Sequence, residues 1–226
     1  MEYVKRFWLL YLLTMALVAS LALGTSRAVT TIGDSIPVDH SRILVIDAGH
    51  GGMDGGAVSC TGVLESQINL QIALRLEDLA HLLGYRTLML RKTDESLHTE
   101  GNTIAAKKAS DLRQRVRLVN ATEGAILLSI HQNFFPESIY YGPQLFYAPT
   151  EGSDRLAEYL QQALQTQRQN KPGQNIYLLQ HIQVPGVLVE CGFLSNPKEE
   201  AMLRDEAYQK ILSCRILSGL HAYLQA

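Results

Sequence analysis

Apolar residues along this chain follow two rhythms that alternate from residue 42 onward. One is the short unbroken run. Ile43–Ile46, the stretch 125–130 (AILLSI) and the stretch 186–190 (GVLVE) read as strands covered on both faces. Residues 85–91, 143–149 and 175–179 read as further strands. The other rhythm is helical. From Ser66 onward Ile68, Ile72, Leu76, Leu79 and Leu83 recur at helical spacing, closed by Gly84. Tyr208, Leu212, Ile216, Leu220 and Leu224 mark a C-terminal helix. Between these lie a polar connection over 93–110, a helix that Asp111 caps, and a helix from Ser153 to about Gln169. Alternating strands and helices predict a single α/β domain over 42–226, a mainly parallel twisted sheet with helices on both faces.

The N-terminus departs from both rhythms. Lys5 and Arg6 precede Phe7–Gly24, a stretch with no charged residue. A positive segment followed by an apolar one marks an exported chain. The run is at the length where a cleaved signal and a membrane anchor meet. Ala22–Gly24 and Ser26–Ala28 offer small-residue cleavage sites, so residues 1–28 are read as signal peptide or membrane anchor and 29–41 as a linker.

Charge narrows the partners. The chain carries a formal −2, and removing the net +2 of residues 1–28 leaves −4. Nothing provides the basic stripe that nucleic-acid binding requires. Cys60, Cys191 and Cys214 are odd in number and lack CxxC spacing, so no disulfide framework is expected, though one bridge stays open.

Candidate chemistry begins at VIDAGHGGMDGG, Val45–Gly56. Such a glycine-dense turn after a strand suggests either a phosphate or a metal. Its glycines miss the dinucleotide fingerprint, and no Lys-Ser/Thr pair follows them as in a P-loop. Asp47 and Asp54 would also repel a phosphate. The metal reading fares better. His50, His131 and Glu190 each lie at the end of a predicted strand, and Glu65 stands at the entrance of the first helix. Functional crevices of open α/β sheets lie beyond the carboxyl ends of the strands. Two His and one Glu make a zinc set with an open position, and a second Glu can act as general base. These residues are 15, 66 and 59 positions apart, with no compact motif, so spacing alone leaves a loop, capping or dipole role open for each. Glu190 fits a bland role least, because it interrupts an apolar run. His40, His81, His98 and His221 are expected to be solvated or structural, and His181 is left open. Arg113, Arg115 and Arg117 are expected on a solvated helix face, with one of them able to reach a substrate carboxylate.

Four motifs together, VIDAGHGGMDGGAV, GVLESQINLQIALRL, LLSIHQN and VPGVLVECGFLSNPKE, resemble the zinc-dependent N-acetylmuramoyl-L-alanine amidases of the Amidase_3 type, in their order and over nearly all of 42–225. The resemblance implies that His50, Glu65 and His131 hold zinc and that Glu190 is the catalytic acid/base. Gln132 departs from the Ala of many members, which is expected to affect the pocket wall and not the metal. KKASDLRQRVRLVN, GPQLFY, NIYLL and LVECGFLSNPKEE are similar to the sporulation amidases of that family. That similarity implies peptidoglycan glycan strands with stem peptides as substrate. It also implies a deacetylase in the same pathway that forms muramic-δ-lactam, an activating protein as a possible partner, and a membrane contact if the N-terminal segment stays attached. A zinc peptidase cutting within the stem peptide, a general division amidase and a non-catalytic wall-binding module are the competing readings.

Overall fold

The computed structural model describes residues 41–226; residues 1–28, read as signal peptide or anchor, residues 29–40 of the stretch 29–41 read as a linker, and with them His40, lie outside the described residues. Six strands form one sheet: β1 (Ile43–Ala48), β2 (Arg86–Met89), β3 (Ala125–Asn133), β4 (Gln144–Tyr147), β5 (Lys171–Pro172) and β6 (Gly186–Phe193). Their order is β2-β1-β3-β6-β4-β5. β2, β1, β3 and β6 run parallel, and β4 is antiparallel to β6. The helices are α1 (Glu65–Leu82), α2 (Ile104–Asn120), α3 (Ser153–Leu164), α4 (Tyr177–His181), α5 (Pro197–Leu203) and α6 (Glu206–Leu224). Among the described residues no helix is long and apolar enough to cross a membrane.

Strand parity divides the core. Leu44 and Ile46 of β1, Ile126, Leu128 and Ile130 of β3, and Val187 and Val189 of β6 face α1, α3 and α6. Val45, Leu127 and Leu188 point the other way, toward α2 and α4. Each fully buried Leu or Ile contributes about 1.5–3 kcal/mol, so the two layers fix the register firmly. Register then decides the chemistry. Asp47 lies beside Ser129, and His131 beside Glu190. By parity all four side chains emerge on the α2/α4 side, in two rows at the carboxyl ends of the central strands.

Several expected elements are corrected. The connection over 93–110 is not all loop: α2 begins at Ile104, capped by Thr103, whose Oγ1 accepts from Ala106 N at 3.1 Å. Its first turns are Ala- and Lys-rich, good helix formers without an apolar stripe to betray them. Asp111 is therefore interior to the helix and not its cap. Residues 177–181 form the short α4 in place of a strand, because a brief apolar run reads equally as buried helix. The edge strand is the two-residue β5. α3 stops at Leu164, five residues early, where Gln165 turns left-handed with φ 56°. The unexpected α5 is started by Asn196, whose side chain accepts from Lys198 N and Glu199 N, with Pro197 in the first turn.

Candidate metal centre

Four segments converge at the carboxyl edge of the sheet. β1 runs into the turn that carries His50, α1 opens with Glu65, β3 ends near His131, and Glu190 lies in β6 beside it. One ligand atom from each of His50, Glu65 and His131 lies within 4.8 Å of the others. Glu65 is the hub: Oε2 is 3.3 Å from His50 Nε2, and Oε1 is 3.0 Å from His131 Nδ1. The imidazoles meet edge to face, with centroids 5.0 Å apart.

Two glycines clear the space. A Cβ at Gly49 would lie 2.2 Å from the His131 ring. One at Gly56, where φ is +70°, would lie 2.6 Å from Glu65 Oε2 and 2.7 Å from His50 Cδ2. The glycine turn thus wraps the His–Glu–His cluster, with no room for a side chain at Gly49 or Gly56.

Two of the three cluster residues, His50 and Glu65, are held from behind. His50 Nδ1 is 3.0 Å from Asp54 Oδ2, and Asp54 Oδ1 meets Lys108 Nζ at 2.7 Å. This carboxylate keeps the Nδ1 proton and leaves Nε2 facing Glu65. Glu65 Oε1 accepts from Asn69 Nδ2 and from Gln132 N, and Oε2 accepts from Ala57 N. Gln132 is buried on the opposite face of β3 from His131, donating from Nε2 to Asn69 Oδ1 at 3.1 Å. It supports the cluster from beneath and does not form the pocket wall, which corrects the expectation for that position.

The electrostatics set the two glutamates apart. Burial would raise Glu65, but its bonds to His131 and His50 and their charges hold it well below the usual carboxylate range. Burial would lower His50, yet Glu65 and Asp54 raise it to about 9. Glu190 moves upward to about 7, through burial and then the charge of Glu65, with His131 and His50 opposing. Its Oε2 is buried without a hydrogen-bond partner. An unpartnered buried carboxyl oxygen is costly, and such perturbed groups gather at functional sites.

Arg115 overturns its expectation. Arg113 and Arg117 are exposed, but Arg115 is 2% exposed and ion-paired to Asp47 and Asp111. Asp47 also accepts from Ser129 Oγ at 2.6 Å. Burial would raise Asp47, but Arg115 and Ser129 hold it below the ordinary value. His181 is exposed on α4, stacked on Tyr177 with centroids 4.0 Å apart, and is not among the clustered donor groups. His81 bonds Thr87, His98 bonds Ser96 and His221 bonds Tyr85, as structural residues do. Cys60, Cys191 and Cys214 are free thiols. Sequence reading missed Asp54, Lys108, Asn69 and Arg91; only Asp54, four residues after His50, carried a usable signal.

A cleft of about 190 Å³ opens on the cluster between the His50 turn and α2, lined by Asp54, Lys108 and Tyr177 among others. A larger cavity of about 480 Å³ lies between loop 139–143 and α6, and none of His50, Glu65, His131 or Glu190 lines it. His50 and His131 line the smaller one, whereas Glu65 and Glu190 line neither.

Comparison with known proteins fits this geometry. The model of the N-acetylmuramoyl-L-alanine amidases matches residues 44–222. The chain belongs to this family. As an amidase of this kind it acts on peptidoglycan, at the bond joining N-acetylmuramic acid to L-alanine. It is 38% identical over 196 residues to the germination-specific N-acetylmuramoyl-L-alanine amidase of Bacillus subtilis (strain 168), covering 84% of this chain and 82% of the relative. The CwlD amidase from Clostridioides difficile, solved in complex with the GerS lipoprotein, is 37% identical with a TM-score of 0.78, covering 81% of this chain and 98% of that one. The catalytic domain of CwlV, an amidase from Bacillus (Paenibacillus) polymyxa var. colistinus, is 29% identical with a TM-score of 0.70, covering 81% and 98%.

Proposed function

We propose that the amidase is zinc-dependent, with His50, Glu65 and His131 as ligands and Glu190 as the catalytic acid/base. One observation carries this reading: three donor groups within 4.8 Å beside a buried, unpartnered carboxyl oxygen. The donor set fits the ion, since two imidazoles and one carboxylate are a known catalytic zinc set that leaves a position open. When bound, zinc supplies Lewis-acid polarisation of the amide carbonyl and lowers the pKa of its water to about 7.

The chain's own residues do the rest. Asp54 holds the His50 ring in one tautomer, and Asn69 holds the Glu65 carboxylate. Glu190, poised near neutrality, takes the proton of the attacking water and returns it to the departing L-Ala nitrogen. The products are an intact glycan strand and a free stem peptide.

We further propose that the enzyme works outside the cytoplasm in spore cortex maturation, upstream of a deacetylase that completes muramic-δ-lactam, and that a lipoprotein partner assists it. The similarity to the germination-specific enzyme of Bacillus subtilis and to the GerS-bound CwlD supports this reading.

The test is direct. The purified chain is incubated with zinc and peptidoglycan, and the released material is read by mass spectrometry. Stem peptides with a free L-Ala amino terminus, absent for Glu190→Gln, are expected. Shortened peptides still attached to glycan would instead identify a peptidase. Binding to sacculi without release, in the presence of the partner lipoprotein, would identify a wall-binding module.

A further inference from the structure

We infer that two buried arginines, Arg115 and Arg91, form a carbonyl clamp that holds the 48–50 turn in its metal-ready shape, with Arg115 as the positioning residue for His50. This rests on the proposal that His50 is a zinc ligand.

The turn needs holding. His50 has φ 62°, and among the described residues only Gln165 shares a positive φ without being glycine. Left-handed backbone at a side-chain-bearing residue persists only where its surroundings enforce it. Here the enforcement is visible. Arg115 donates from Nη2 to His50 O at 2.7 Å and from Nη1 to Ala48 O at 3.0 Å. Arg91 donates from Nε to Ala48 O at 2.8 Å and from Nη2 to Gly49 O at 3.0 Å. Three successive carbonyls, those of Ala48, Gly49 and His50, are thus held by the two guanidiniums. Arg91 Nη2 also reaches Ser66 O at 2.9 Å, next to Glu65, so one guanidinium ties the His50 turn to the start of α1.

Both side chains are 2% exposed. Asp47 and Asp111 pair with Arg115. The hydrogen bonds of Arg91 go to four backbone carbonyls, those of Ala48, Gly49, Ser66 and Thr93. Only a planar fork spans such a set. An ammonium at either position keeps the charge but cannot reach two carbonyls of the turn from fixed directions.

The test compares Arg115→Lys and Arg91→Lys with wild type, and with Arg117→Lys as an exposed control on the same helix. Zinc affinity is measured by competition with a chromophoric chelator, and the zinc-induced rise in Tm is measured alongside. The lysine variants are expected to lose about 10- to 100-fold in zinc affinity, as supports of metal ligands do. Their zinc-induced Tm rise should shrink, and turnover at saturating zinc should return to within a few-fold. Arg117→Lys should match wild type. A merely structural role would lower the metal-free Tm and leave affinity and the zinc increment unchanged, which would overturn the clamp.

Amide hydrogen exchange of residues 48–51 in wild type gives a reading that needs no variant. Equal protection with and without zinc is expected of a preset turn. A turn protected only with zinc would sink the inference even if neither variant folds. The two proposals fail separately. Wild type that binds zinc but releases no stem peptide retires the amidase mechanism alone. Lysine variants that bind zinc normally while wild type is active retire the clamp alone.

Discussion

The two ends of the functional edge are built on opposite plans. At the β1/α1 end the groups that hold the cluster are tied: both Glu65 oxygens are bonded, His50 is backed by Asp54, and the turn's carbonyls are taken by two arginines. At the β6 end Glu190 presents an oxygen with no partner at all. Two glutamates in one site are driven in opposite directions, Glu65 far down and Glu190 up to about 7. The tied end has the character of a preset frame, as the proposed metal site would require. The untied end keeps a proton acceptor in reserve, at a cost to stability that only function explains.

Substitutions at each end should separate these plans. His131→Ala has the largest expected effect. It removes a donor from a set of three, so zinc affinity should fall by well over the ~100-fold that second-sphere changes cost, and amidase activity should vanish with it. Normal zinc content by elemental analysis would refute the frame. Glu190→Gln comes next. Turnover should drop about 10²- to 10⁴-fold with zinc retained, because an amide cannot accept the proton. The same change removes an unpaired buried acidic group, so Tm should hold or rise. A fall in both activity and Tm would mean that Glu190 is structural.

pH tells the ends apart more gently. In the metal-free protein His50 is raised from 6.5 to about 9, so its contribution to stability is complete below 6.5 and is lost as pH climbs through 9. Glu65 is depressed, so its contribution is present above 4.5 and is lost as pH falls through its lowered value. If His50 ligates zinc as proposed, the ion must displace the His50 proton, so affinity should climb about tenfold per pH unit between 7 and 9. As the proposed base, Glu190 would have to be ionised to act, and a nearby cation would only lower its value from about 7. At saturating zinc, activity should therefore plateau by pH 7; at limiting zinc it should keep rising toward 9. Identical profiles at both zinc levels would erase the distinction.

Much of this was legible in the sequence, for a physical reason. Strands buried on both faces announce themselves as unbroken apolar runs, and whatever polar residue ends such a run sits on the functional rim. That logic places His50, His131 and Glu190 at one edge of the sheet without coordinates, and the structure has them there. It fails where burial is not signalled by hydrophobicity. Arg115 sits between two exposed arginines on α2, and nothing in its neighbours distinguishes it; its burial depends on Asp47 and the carbonyls of a turn 65 residues away. Arg91 likewise ends a predicted strand as an ordinary polar residue, yet serves four carbonyls. The start of α2 was hidden because its first turns carry no apolar stripe, and α4 because five residues are too few to show a period. Contacts between distant segments bury the two arginines, whereas the start of α2 rests on local helix propensity and the Thr103 cap.

Gln132 sharpens the comparison with the smallest expected effect. Its side chain belongs to the tied end, donating to Asn69, but its own Oε1 has no partner. Gln132→Ala would lose one hydrogen bond and leave Asn69 Oδ1 without that donor, a cost of about 1 kcal/mol. It would also delete an unsatisfied buried acceptor, which offsets a similar amount. The bond that matters to Glu65 comes from the backbone N–H of residue 132, which any residue but proline supplies. The variant should therefore lie within about 1 kcal/mol of wild-type stability, with zinc affinity changed by less than the clamp variants change it. Thermal melts and the chelator titration measure both. A large loss of zinc affinity would show that the side chain, through Asn69, aims the carboxylate. The frame around Glu65 would then extend one layer deeper than the backbone contacts alone require.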